Sequence, residues 1–227
     1  MGSELSTDEY DQFHSVQAHY GVHYRKSTYY ALFRSIVREL REVRAARILE
    51  VGCGSGVLAQ MILEQLPDVD YRGFDFSRTG VARAGERTGR KDVFFVGDAR
   101  SPAAYEYDYD AVVCTEVLEH IEDDLGAIRN WRPGTACICS VPNFPYSGHV
   151  RVFRREAEVL DRYGSLLAIN KIRRVAKPVL AETTWPDYLR RLRWSRDNPR
   201  KMLGLLGINR FDFLAGWFLF AGSRRDG

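Results

Sequence analysis

Arg47-Ile48-Leu49-Glu50-Val51-Gly52-Cys53-Gly54-Ser55-Gly56 decides how this chain folds. An apolar run stops on an acid and passes into three alternating glycines, which predicts a strand turning into a helix around a small ligand. Glycine lets the backbone turn tightly and approach that ligand closely. The free N–H groups of the helix that follows present partial positive charge to it. An adenosine-containing cofactor suits such a site.

Outward from this stretch, strands and helices alternate, the signature of a parallel sheet with helices on both faces. The pattern predicts an amphipathic helix over 27–43, carrying Tyr30, Leu32, Phe33, Ile36, Val37 and Leu40. Strands are expected at 47–52, 70–75, 93–97, 109–115, 136–141 and 166–174, and a final strand region at 209–224. Helices are expected at 56–66, 78–87, 123–131 and 154–163.

At 227 residues the chain suits one large α/β domain, and its 45% hydrophobic and 28% charged residues are ordinary for a globular protein. Neither an apolar run of transmembrane length nor a basic and apolar signal region at Met1–Glu9 is visible, so a cytoplasmic protein is expected. Cys53, Cys114, Cys137 and Cys139 lack metal-knuckle spacing and read as small core residues.

Gly54-Ser55-Gly56-Val57-Leu58-Ala59 with Asp75 can be forced into a dinucleotide fingerprint, but that pattern leaves Glu50 unexplained. With Glu50 the string is E-x-G-x-G-x-G, which resembles motif I of the class I S-adenosylmethionine (SAM) dependent methyltransferases. Further matches follow in order. Tyr71–Ser77 resembles the second strand with its ribose-binding acid, Asp75, followed by Phe76; Val93–Ala99 resembles the third with its adenine-contacting acid, Asp98, followed by Ala99. Tyr109–His120 resembles the fourth strand and the loop over the methyl donor, bringing Thr115 and Glu116 to the cofactor.

The resemblance covers roughly residues 45–145 and implies SAM binding through Glu50, Gly52, Gly54, Gly56, Asp75, Phe76, Asp98, Ala99, Thr115 and Glu116. It also implies an α/β, Rossmann-like doubly wound, mostly parallel seven-stranded sheet with an antiparallel last strand. N-terminal cap helices (1–44) would precede a methyltransferase domain (45–227), and a helical lid insertion at about 175–208 would precede the last strand. Taken residue by residue, Asp75 and Asp98 also read as turn acids, and Glu50 as a cap on the glycine turn.

Glu116-Val117-Leu118-Glu119-His120, with His149 further on, is the sharpest chemical feature. Both segments belong at the carboxyl ends of neighbouring strands, the edge where ligands bind in such sheets. The E-x-x-E-H string followed by a histidine resembles the ubiquinone-type O-methyltransferases and the small-RNA 2′-O-methyltransferases. That resemblance implies Glu116, Glu119, His120 and His149 as ligands of a divalent ion, for which Mg²⁺, Mn²⁺, Fe²⁺ and Zn²⁺ all suit. Two other readings stay open: His120 as a metal-free general base held by Glu119 or Glu116, and a purely structural cofactor loop.

The end segments carry less decisive signals. Before the first strand lie Tyr10, Phe13, His14, Tyr20, His23, Tyr24, Tyr29 and Tyr30; Tyr20 or Tyr24 would either touch the cofactor and acceptor or pack a cap helix. From Lys171 to Lys201 ten basic residues face three acids, a net +7 in a chain of net +3. This stretch reads as a lid over an anionic or bulky acceptor, as a patch for an anionic membrane surface, or as a solvated helix face. Nothing resembles an appended nucleic-acid module, so RNA is a minority expectation. The expected function is O-methylation of a small anionic or aromatic acceptor, with metal-dependent RNA 2′-O-methylation and a non-catalytic SAM-binding subunit as alternatives.

Overall fold

The computed structural model describes residues 22–176 and 215–226, together with Glu4, Ser6, Asp8, Glu9, Asp11, Leu189 and Arg193. The described elements are α1 (Tyr30–Glu42), β1 (Arg47–Val51), α2 (Val57–Gln65), β2 (Asp70–Asp75), α3 (Arg78–Thr88), β3 (Phe94–Val96) and β4 (Ala111–Thr115), followed by α4 (Asp124–Arg129), β5 (Ala136–Pro142), α5 (Glu156–Tyr163), β6 (Leu167–Ala176) and β7 (Gly216–Arg224). The strands form one seven-stranded sheet in the order β3-β2-β1-β4-β5-β7-β6. β1 to β5 pair in parallel, and β7 runs antiparallel between β5 and β6. The expected α/β, Rossmann-like architecture is therefore present.

Alternation along the central strands splits the core into two layers. Ile48, Ala111, Val113, Ile138 and Trp217 pack against α1, α2 and Ala84 of α3. Leu49, Val51, Val112, Cys114, Cys137 and Cys139 pack on the other face against α4 and α5. All four cysteines are buried and free, as their spacing predicts. On α1, Leu32, Ile36, Val37 and Leu40 lie on one buried stripe, and burial of each is worth about 1.5–3 kcal/mol.

The helix expected from residue 27 begins at Tyr30, because Tyr24–Lys26 forms a separate 3₁₀ turn and Ser27 Oγ accepts from Tyr29 N at 3.1 Å. Strand order reverses at β1, whose neighbours β2 and β4 leave on opposite sides. That switch point opens a crevice at the carboxyl ends of the strands, where ligands bind in open α/β sheets. Among the described residues, no helix is long and apolar enough to cross a membrane.

Two readings of the end segments meet the structure only in part. Tyr10, Phe13, His14, Tyr20 and nearly all of 177–214 lie outside the described residues, and so does the expected helical insertion. Of the basic stretch, Lys171–Ala176 belongs to β6, where Lys171 Nζ lies 3.0 Å from Glu39 Oε2 and also pairs with Glu42, and Arg173 Nη2 lies 3.3 Å from Glu39 Oε1. These acids on α1 were not counted in reading the stretch as a basic face.

Candidate cofactor and metal site

A cavity of about 470 Å³ occupies the crevice, bounded by the glycine loop, the ends of β2, β3 and β4, and the segment after β5. Glu50, Gly52, Gly54, Asp75, Phe76, Asp98, Ala99, Thr115, Glu116, His120 and His149 all line it. Of the sequence-predicted residues, Gly56 and Glu119 do not. Gly56 caps α2 with φ +73°, and a Cβ there would lie 2.8 Å from Ala84 Cα, so this glycine lets α3 pack against the loop.

The glycine loop is tied to the end of β2. Gly52 N and Cys53 N both donate to Phe74 O, at 2.8 and 2.9 Å. Gly54 N donates to Asp75 Oδ2 at 2.8 Å, and Ser77 N to Asp75 Oδ1 at 2.9 Å. Burial pushes the Asp75 carboxyl up to about 6 even though these two N–H groups favour its charge. Beneath it, Glu50 accepts from Tyr71 Oη at 2.6 Å and is pushed up to about 8, chiefly by burial. Such desolvated acids facing a cavity are prepared for a cationic or hydroxyl-rich ligand.

Gly52 adopts φ +72°, and a Cβ there would come within 2.2 Å of Val117 Cγ2. Gly52→Ala is therefore expected to cost about 2–5 kcal/mol, from left-handed strain plus overpacking; the measurement is chemical denaturation. Val117 reaches the glycine loop because Glu116, with φ +57°, turns the chain out of β4 in the left-handed region that non-glycine residues rarely occupy.

Asp98 faces the cavity already held. Arg100 forks onto it, with Nε 3.0 Å from Oδ1 and Nη2 2.8 Å from Oδ2, and holds its carboxyl below the usual range. Arg100 Nη1 also reaches Glu4 Oε1 at 3.1 Å, while Glu122 N donates to Glu4 Oε2 at 3.1 Å. Glu4 thus bridges two walls of the cavity. The sequence reading missed it, and no local motif marks it.

At the other end of the cavity Glu119, His120 and His149 gather, with one candidate ligand atom from each inside a mutual 4.8 Å. The two imidazole centroids are 4.7 Å apart, edge to face. His120 Nδ1 lies 3.0 Å from Gly148 O, and His149 Nδ1 3.2 Å from Phe144 O. A carbonyl only accepts, so each Nδ1 carries the proton and each Nε2 keeps its lone pair. Burial lowers both rings, His120 to about 4, so both are neutral at pH 7.

Glu119 is completely buried, and neither carboxylate oxygen has a hydrogen-bond partner. Burial, then the charge of Glu116, pushes its pKa well up. A buried carboxylate whose oxygens make no hydrogen bond, with Oε1 3.8 Å from His120 Nε2 and His149 alongside, is a donor set that fits a divalent ion. Glu116, the fourth ligand expected, lines the cavity but stands outside this cluster.

Aromatic side chains wall this end of the cavity. Tyr29 and Phe33 come from the start of α1, and Phe144 and Tyr146 from the segment after β5. Trp217 backs them, 5.1 Å from Tyr29 and 6.2 Å from Phe144 between ring centroids. The sequence pattern marks Phe33 only as an apolar residue of the first helix and does not mark Phe144 or Tyr146. Tyr24, by contrast, is buried and donates to Glu64 Oε2 at 2.7 Å, so it packs against α2.

Residues 49–136 match the family described as methyltransferase domain. Malonyl-[acyl-carrier protein] O-methyltransferase from Bacillus anthracis is 26% identical over 53% of this chain and 42% of its own length. Ubiquinone biosynthesis O-methyltransferase from Aliivibrio fischeri is 36% identical over 37% of each chain. The match therefore spans less than half the length of these curated relatives.

Among solved structures, a chain of the complex between the Haloferax volcanii Trm112 methyltransferase activator and its methyltransferase superposes with TM-score 0.68, at 16% identity, over 96% of this chain and 98% of that one. The N-methyltransferase NodS from Bradyrhizobium japonicum WM9, in complex with S-adenosyl-L-homocysteine, gives TM-score 0.55 at 16% identity, covering 86% of each chain. At such identities the likeness is one of fold. The protein has the class I methyltransferase fold. The stretch from Leu49 to Ala136, which is the part that matches the methyltransferase-domain family, holds the glycine loop, both strand-end acids and Glu119-His120.

Proposed function

We propose that this protein is a SAM-dependent methyltransferase acting on a hydroxyl oxygen of a small aromatic acceptor, with a divalent ion held by Glu119, His120 and His149. The observation that carries the reading is one continuous cavity. Glu50, Asp75 and Asp98 face its loop end, and the carboxylate and two imidazoles stand beside its aromatic end. The relatives' names support oxygen as the methylated atom.

SAM would supply a methyl group already activated on a sulfonium, so the protein's task is alignment and exclusion of water. Asp75 accepts the ribose hydroxyls, Asp98 faces the adenine, and Glu50 with Thr115 lies toward the methionine end. Tyr29, Phe33, Phe144 and Tyr146 flank the acceptor ring. A bound ion would lower the pKa of the acceptor hydroxyl. Without one, His120 Nε2 is the base that takes the hydroxyl proton, since its Nδ1 is committed to Gly148 O.

Glu50, near 8, is mainly protonated at pH 7 in the empty site. A cationic ligand favours its charged form, so SAM binding at pH 7 is expected to release a proton. Calorimetry in buffers of different ionisation enthalpy reads this release, and Glu50→Gln should diminish it.

The test of the function as a whole is elemental analysis beside titration with SAM and its demethylated product, on the wild type and on the His120→Ala, His149→Ala double variant. Stoichiometric metal lost in the variant, with SAM binding kept, would support the three-residue site and direct the search to phenolic and catechol acceptors. SAM binding without metal under any loading leaves His120 as the base. Absence of SAM binding overturns the reading, and SAM binding without turnover on any acceptor favours the non-catalytic subunit. An RNA acceptor or an anionic membrane would call on the basic stretch, and Lys171 and Arg173 are already paired with Glu39 and Glu42.

A further inference from the structure

No other residue hydrogen-bonds the Glu119 carboxylate, whose Oε1 lies 3.8 Å from His120 Nε2. What fixes it is the backbone on both sides. Arg151 Nη1 donates to Leu118 O and, at 2.6 Å, to Ile121 O, and its Nη2 donates to Glu122 O at 2.8 Å. The same guanidinium lies 3.0 Å from Oδ2 of Asp124, which is fully buried. Val150 N donates to Glu119 O at 2.8 Å. The segment Gly148–Arg151 therefore provides the carbonyl that orients His120, the histidine His149, the N–H that holds Glu119 and the guanidinium that clamps the surrounding turn.

We propose that Arg151, anchored by Asp124, is a positioning residue that sets Glu119 and His120 against His149, an inference that deepens the metal-site reading and rests on it. A planar fork with several fixed donors suits this task, because one group must hold three carbonyls and a carboxylate together. A lysine ammonium in its place cannot span them. Asp124 has a second set of partners, from α5, on the same carboxylate. Arg162 Nε lies 2.8 Å from Oδ2, and Tyr163 Oη donates to Oδ2 at 2.8 Å. That arrangement supplies the control: Arg162→Lys disturbs the same buried carboxylate while keeping Arg151 and its bonds to the three carbonyls.

The test compares wild type, Arg151→Lys and Arg162→Lys by two readouts. The first needs no metal. Nitrogen-15 NMR of the imidazoles reads the tautomers, expected as Nδ1–H for both His120 and His149 in the wild type and in Arg162→Lys. In Arg151→Lys, His120 is expected as a tautomer mixture, because Gly148 O is no longer held over it. The second is Co²⁺ titration followed by visible absorption. Arg151→Lys is expected to weaken Co²⁺ about 10–100-fold, as loss of a ligand-orienting group does elsewhere. Arg162→Lys should stay within about twofold, and SAM affinity should be unchanged in both.

An unchanged His120 tautomer in Arg151→Lys, or equal losses in the two variants, overturns the proposal. A wild type that binds no Co²⁺ overturns the metal reading instead, and the tautomer measurement still decides whether Arg151 positions His120. Should Arg151→Lys fail to fold, Arg151→Gln, which keeps donors to the carbonyls but loses the fork, gives the same comparison.

Discussion

Asp75→Ala is expected to weaken SAM binding by roughly 10²–10⁴-fold at pH 7.5, read by calorimetric titration. Two charge-assisted hydrogen bonds to the ribose, each worth about 1.5–3 kcal/mol, would be lost together. Asp75 also accepts from Gly54 N, so its loss removes one of the ties of the glycine loop as well. The pH dependence has a definite sign. The carboxylate form binds the hydroxyls, and the empty site holds Asp75 near 6. The Asp75 contribution is therefore expected to be level above that pH and to fall below it, by up to about tenfold per unit, as protons compete with the ligand, in addition to the separate rise toward pH 8 that proton release from Glu50 gives. Asp75→Asn should remove the fall below about pH 6 along with most of the affinity, leaving the Glu50 component; retained tight binding in either variant would refute the ribose role.

The second large effect concerns stability. Asp124→Ala is expected to destabilise the fold by about 3–5 kcal/mol, the usual cost of removing one member of a buried ion cluster. Tyr163 would be left buried beside the gap, and Arg151 and Arg162 partly so, with Arg162 Nη2 losing a contact of 2.5 Å. Denaturant titration checks this. Asp161→Ala, an exposed neighbour on α5, should lie within about 0.5 kcal/mol of wild type. An Asp124→Ala protein as stable as wild type would mean that the arginines find water, and that the cluster is not needed for the fold.

How much of this was legible beforehand depended on range. Gly52, Gly54 and Asp75 could be read because a strand, a glycine turn and a strand-end acid are each local patterns. The neighbourhood of His120 and His149 could be read at one remove, since β4 and β5 are adjacent parallel strands whose carboxyl ends share one edge. Which of the two glutamates would join the histidines could not. Glu116 takes a left-handed backbone conformation, and the turn that follows carries Glu119 inward to the imidazoles. Side chains three residues apart exchange roles on one dihedral angle, and no spacing rule encodes that.

Charge showed the same boundary. Lys171 and Arg173 looked like part of a basic face because their partners, Glu39 and Glu42, lie on α1, far away along the chain. The grips of Arg100 on Glu4, and of Arg151 on Asp124, likewise join segments with no common local pattern.

By itself the sequence determined the alternating strands and helices, the glycine loop and the set of residues at the carboxyl edge of the sheet. These follow from hydrophobic periodicity and backbone freedom, which act over a few residues. Only the tertiary structure decided which carboxylate stands beside two imidazoles, which aromatics wall the cavity and which arginines are already spent. Those outcomes depend on burial and on contacts between distant segments, and desolvation acts on a side chain only once the chain has closed around it.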